Sequence, residues 1–116
     1  MKDDRVHLDH ILECVHWIGR FTVDGREAFF QDRKTQSAVL RELQTLAEST
    51  QRLSPAFKSK HPEIHWQSIA GFRNVLVHDY LGIKPERVWQ IIERDLPELR
   101  ASLVKAMSGQ DAEKLP

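Results

Sequence analysis

The sequence is short of several things. Its 116 residues include one cysteine, Cys14, so no disulfide framework can form within the chain and no cysteine-based zinc site can be built. Cys14 falls in an apolar-periodic segment, which suits a small core residue better than a nucleophile. Five glycines and five prolines leave long uninterrupted stretches, and no stretch alternates with the period of a β-strand. No apolar run approaches the roughly 18 residues of a membrane span, and the charged start Met1-Lys2-Asp3-Asp4-Arg5 has no signal-peptide core. The expectation is therefore a cytoplasmic protein with no membrane partner. Lys and Arg together number 17, as do Asp and Glu, for a formal net charge of zero. A global basic footprint for nucleic acid is absent, so RNA or DNA binding would need a local patch.

What the sequence does have is helical periodicity. Leu8, Ile11, Leu12, Val15 and Ile18 make one apolar stripe, predicting a helix over about Asp4 to Phe21, with Asp3 and Asp4 as candidate N-caps. Glu27 to Gln31 reads as a connector whose Phe29 and Phe30 close one end of the core. Asp32 reads as the N-cap of a second helix over about Arg33–Leu53. Ser54-Pro55 marks a break, followed by a basic loop with room for one short turn (Lys58, Lys60, His61). A third helix begins near Glu63 or His65 and runs to about His78. Pro85 suits the first position of a fourth, which Pro97 either kinks or restarts after Asp95. Trp17, Trp66 and Trp89 are read as core. The fold expected is all-α, an antiparallel up-and-down four-helix bundle with a short extra helical turn in a loop. It would be a domain over residues 1–107, followed by a polar, disordered tail over 108–116.

The third helix carries the chemistry. At 100° per residue, Ile69, Phe72 and Leu76 share one face, with Trp66 and Arg73 at its edge. Gln67, Gly71, Asn74 and His78 form a second stripe nearly opposite. Glycine inside a helix costs roughly 1 kcal/mol relative to alanine, and close backbone approach is the usual reason to accept that cost. Another helix, or a second copy of this one, is therefore expected against Gly71. Arg73 and His78 lie about 140° apart on one regular helix. Three arrangements would reconcile them: Arg73 wraps round, the helix ends and re-aims His78, or the two act across a symmetric dimer. A bland arrangement also fits, with Arg73 paired to Asp79, Asn74 holding a loop carbonyl and His78 a satisfied core histidine. The pairs His7/His10 and His61/His65 lack a metal-site context, because Pro62 spoils the helical spacing of the second and no cysteine joins either. No metal is expected.

Arg73-Asn-Val-Leu-Val-His78-Asp-Tyr80 matches the RxxxxHxY motif, and the chain resembles the HEPN superfamily, its HepT-like branch in particular. The likeness extends over Phe30…Asp32…Gln36-Ser37-Ala38, His61-Pro62-Glu63-Ile64…Trp66, Ile69-Ala70-Gly71 and Val88-Trp89…Ile92…Asp95-Leu96-Pro97. It departs from the family's pattern at His65, Lys84 and Leu46-Ala47-Glu48-Ser49, all outside the motif. The resemblance implies a HEPN-like bundle that forms a homodimer, with two motif copies meeting at a cleft. It implies a metal-independent endoribonuclease toxin with no cofactor, held in check by a minimal, MntA-like nucleotidyltransferase antitoxin. His78 is then the acid/base, Arg73 the phosphate clamp, Asn74 an orienter of His78 or of the phosphate, and Tyr80 a substrate contact and candidate adenylylation site. Gly71 sets the dimer approach. Cleavage would leave a 2′,3′-cyclic phosphate and a 5′-hydroxyl, and the neutral charge favours a narrow RNA target such as a tRNA feature. The alternative is a non-catalytic helical dimer that binds a nucleotide or docks the nucleotidyltransferase.

Overall fold

A computed structural model describes the backbone of residues 2–114 and the side chains of residues 4–80 and 82–108. Every element among the described residues is helical, in the order α1 (Lys2–Phe21), α2 (Arg26–Gln31), α3 (Arg33–Gln51), α4 (Pro55–Lys60) and α5 (Trp66–His78). A 3₁₀ turn (Tyr80–Gly82), α6 (Pro85–Gln90), a π-helical turn (Ile91–Asp95) and α7 (Leu96–Lys114) follow. The long members α1, α3, α5 and the run α6–α7 form the expected up-and-down bundle. α1 lies along α3, α3 also packs on α5, and α7 returns to α1. α7 runs into the stretch where a polar tail is expected, and residues 115–116 of that stretch lie outside the described residues.

The predicted stripes build the core. Leu8, Ile11, Cys14 and Ile18 of α1 meet Val39, Leu43 and Leu46 of α3, together with Leu76, Val88 and Leu103. Burying a side chain of this kind contributes about 1.5–3 kcal/mol each, so α1 and α3 both have much to lose from truncation.

The joints explain themselves chemically. Gly25 turns the chain into α2 at φ +93°, a left-handed conformation that favours glycine. Phe29 of α2 is buried and packs on Trp89, with ring centroids 5.4 Å apart. The expected connector is thus a short helix that closes the core with both phenylalanines. Asp32 caps α3 as predicted, accepting from the Lys34 N–H at 3.1 Å and the Thr35 hydroxyl at 2.6 Å. α4 is the extra turn, capped by Ser54, whose Oγ accepts from the Phe57 N–H.

Of the two outcomes expected at Pro97, a kink or a restart after Asp95, the structure shows the restart, with α7 beginning at Leu96. Pro97 stands second in α7, directly after a wider turn in which the Leu96 N–H donates to the Ile91 carbonyl. A proline ring crowds the carbonyl four residues back and has no N–H of its own. The π-helical turn absorbs that mismatch and starts a new α-helical register after Asp95.

Two expectations fail. Asp4 does not cap α1. It is buried, and its carboxylate reaches the start of α4, accepting from the Ser54 N–H at 2.8 Å and the Ser54 hydroxyl at 2.7 Å. Trp17 is not core. It is 42% exposed and stacks on Phe21, which is 40% exposed, along the outer face of α1. Trp66 and Trp89 are half-buried. Trp66 donates to the carbonyls of Lys58 and His61, and Trp89 to the Glu93 carboxylate.

Candidate active site

α5 packs through Leu76, Ile69 and Phe72, and this sets the rest of its surface. Gln67, Gly71, Asn74 and His78 all face outward. A methyl group added at Gly71 would meet nothing within 4 Å. Of the two neighbours the glycine suggested, no helix of the same chain lies against it among the described residues. Val75 and Val77, on either side of that stripe, are 44% and 43% exposed. Two β-branched apolar residues beside an uncovered glycine form a surface poorly suited to water.

Arg73 sits at the edge of the packed face, half-buried. Its Nε is enclosed and has no hydrogen-bond partner, while Nη1 donates to Asn74 Oδ1 at 3.4 Å. Among the described residues no carboxylate lies within ion-pair distance of this guanidinium, so the bland pairing of Arg73 with Asp79 is not formed. The Nη1 contact turns the guanidinium towards its neighbour Asn74, and among the described residues no hydrogen bond joins Arg73 to His78. Asn74 faces Arg73, and among the described residues no hydrogen bond joins it to His78.

His78 is the last residue of α5; the Asp79 N–H still makes the helical bond to the Val75 carbonyl at 2.8 Å, and the helix ends because the Asp79 backbone leaves the helical region at φ −140° and ψ 46°. Tyr80 opens the 3₁₀ turn that follows and is 36% exposed. Arg73 and Asn74 are thus brought together, while His78 and Tyr80 stand at the exposed end of the same helix. Asp79 and Gly82 shape the turn between them; the sequence marks Gly82 as a turn residue but offers Asp79 only as an ion-pair partner for Arg73.

Neither of two concavities includes the motif. A cavity of about 300 Å³ between α3, α5 and α6–α7 is lined by Leu46, Ile69, Phe72, Arg87, Asp95 and Leu99. A shallow groove between α1 and α3 is lined by His10, Glu13, Cys14, Trp17, Phe21 and Glu42. Burial raises the Cys14 thiol pKa to about 11, with help from Glu42 and Glu13. Among the described residues no cluster of three or more His, Cys, Asp or Glu side chains is placed to hold a metal ion. No helix there is long and apolar enough to cross a membrane.

The model of the ribonuclease HepT-like family matches residues 11–106. This chain belongs to the HepT-like ribonuclease family. The assignment agrees with the all-α HEPN-like bundle and with the enzyme class, an endoribonuclease. The chain is 36% identical over 111 residues to a candidate RNase from Caldanaerobacter subterraneus subsp. tengcongensis, covering 95% of this chain and 99% of that one. It is 35% identical over 105 residues to a candidate ribonuclease HepT from Thermococcus cleftensis, covering 90% and 96%. A gamma-glutamylcyclotransferase and candidate RNase from Methanocaldococcus jannaschii is 32% identical over 114 residues, which is 97% of this chain and 51% of that one. The HepT-like chain thus spans about half the length of that relative. No solved structure matches.

Proposed function

We propose that this HepT-like chain is the toxin of a cytoplasmic toxin–antitoxin pair, a metal-independent endoribonuclease that works as a homodimer. The observation that carries the reading is an arginine with no acid partner among the described residues, half-buried on a helix whose uncovered face ends in a histidine. A guanidinium in that setting suits a phosphate, because its planar fork binds two oxygens and keeps its charge. Histidine titrates near working pH and can take the 2′-hydroxyl proton or protonate the leaving 5′-oxygen. Arg73 then clamps the phosphate and stabilises the phosphorane, His78 moves the proton, and Asn74 holds the guanidinium. The open space at Gly71 between Val75 and Val77 favours a second copy as the missing wall.

In EDTA the protein should cut RNA, with a tRNA feature as the first candidate target, and leave 2′,3′-cyclic phosphate and 5′-hydroxyl ends. His78→Ala and Arg73→Ala should each lose about 10²–10⁴-fold in rate; cleavage at the wild-type rate by either would end the proposal. If each site draws Arg73 from one copy and His78 from its partner, mixing the two dead variants should restore about a quarter of wild-type activity, since half the dimers are mixed and each has one whole site.

The antitoxin in this reading is an MntA-like nucleotidyltransferase that adenylylates Tyr80. A nucleotide there adds bulk and negative charge beside His78 and repels RNA. Co-expression should add adenylate mass to the wild type and none to Tyr80→Phe.

A further inference from the structure

The segment between His78 and Tyr80 is held by one residue acting in three ways. The Asp79 N–H closes the end of α5 on Val75, and its carbonyl accepts from the Gly82 N–H at 3.0 Å, closing the 3₁₀ turn. Its side chain folds back over that turn. A methyl group built on Gly82 would collide with the whole carboxylate, both oxygens and Cγ. Asp79 itself has φ −140° and ψ 46°, outside the helical and extended regions, so it marks where the chain changes direction. The φ at Gly82 is not positive, so the backbone there does not itself demand glycine. What demands it is the space the carboxylate occupies.

We propose that Asp79 and Gly82 form a latch that sets the position of Tyr80 relative to His78, with Asp79 a positioning residue for the reaction. Asp79 is exposed and its carboxylate turns freely about χ1 and χ2, so it can swing away from a new side chain into solvent. Gly82→Ala should therefore leave the fold intact and release the latch. A displacement of about 1 Å at a reacting group can cost up to about 100-fold in rate, and a loss of about tenfold in kcat with little change in KM is expected for Gly82→Ala.

The kinetic arm rests on the ribonuclease reading; a second arm does not. Tyr80 is the sole tyrosine of the chain, so its ring signals in a ¹³C-resolved aromatic NMR spectrum need no assignment. Gly82→Ala should shift them in the full-length protein at unchanged melting temperature. In an Asp79→Ala background the same substitution should cause no further shift and no further loss of kcat, because the obstructing carboxylate is gone. Asp79→Asn, of the same shape, should keep the wild-type signals. Tyr80 signals unmoved by Gly82→Ala, or moved equally in both backgrounds, would overturn the latch. Absence of RNA cleavage by the wild type would overturn the ribonuclease reading and leave the spectral result to decide the latch.

Discussion

Replacing Asp4 by alanine should lower the unfolding free energy by about 3–4.5 kcal/mol. Two hydrogen bonds to an ionised carboxylate are lost, at 2.8 and 2.7 Å, and both run to Ser54. Each bond to a charged group contributes about 1.5–3 kcal/mol net. Ser54 is half-buried, so water reaches it in part and the lower half of that range applies. The damage spreads because Ser54 also caps α4, which seats the buried Phe57. Asp4→Asn keeps one acceptor for the Ser54 N–H and should cost about 1 kcal/mol. Urea unfolding followed by circular dichroism, extrapolated linearly, measures these differences, and the urea dependence should hold its slope. Ser54→Ala completes a double-mutant cycle, where a coupling of at least about 1 kcal/mol is expected for residues in direct contact. A cost under about 0.5 kcal/mol for Asp4→Ala, the range of ordinary surface substitutions, would refute the claim that this clasp ties α1 to α4.

Other consequences can be checked the same way. With its pKa near 11, Cys14 is about one part in a thousand thiolate at pH 8, so a disulfide reagent should modify it only as fast as the protein opens; modification at the rate of a free thiol would contradict its burial. The Asp32 carboxyl is held below its ordinary range, chiefly by the Thr35 hydroxyl and then by backbone N–H groups. Its stabilising effect should be complete above the unfolded carboxylate pKa of about 3.9 and fade as pH falls through the lower folded value. The gap between wild type and Asp32→Ala should therefore be constant from pH 5 to about 8 and close in acid. α6 has no side-chain cap, because Lys84 stands at its N-cap and offers no acceptor. Lys84→Asp should add about 1 kcal/mol of stability and raise the melting temperature by roughly 4 °C; no gain would mean that Lys84 makes a compensating contact.

Much of this was legible because helices write a short period into sequence. Leu8, Ile11 and Ile18 announced the buried face of α1, and Gln67, Gly71, Asn74 and His78 announced an outward stripe on α5. Asp32 was legible because its partners lie two and three residues away. Asp4 was not, because its partner lies fifty residues on and a carboxylate near a helix start looks like an ordinary cap. Trp17 misled because an aromatic residue at helical spacing normally points inward, and nothing local distinguishes an outer stripe from an inner one. The unpaired charge of Arg73 also lay out of reach: Asp79 is close enough in sequence to suggest an ion pair, yet its side chain turns over Gly82 instead. Pro97 signalled a disturbance, but only the backbone reveals a widened turn.

On the proposed homodimer, the uncovered face at Gly71 has a consequence for dosage. A site completed by a second copy exists only in proportion to the dimer, and below the dissociation constant the dimer grows with the square of chain concentration. In that regime a tenfold fall in expression would cut the cleaving species about a hundredfold. On the proposed toxin reading, a cell making a trace of this chain would be protected by dilution alone, before any inhibitor acts, and a burst of synthesis would cross into damage abruptly.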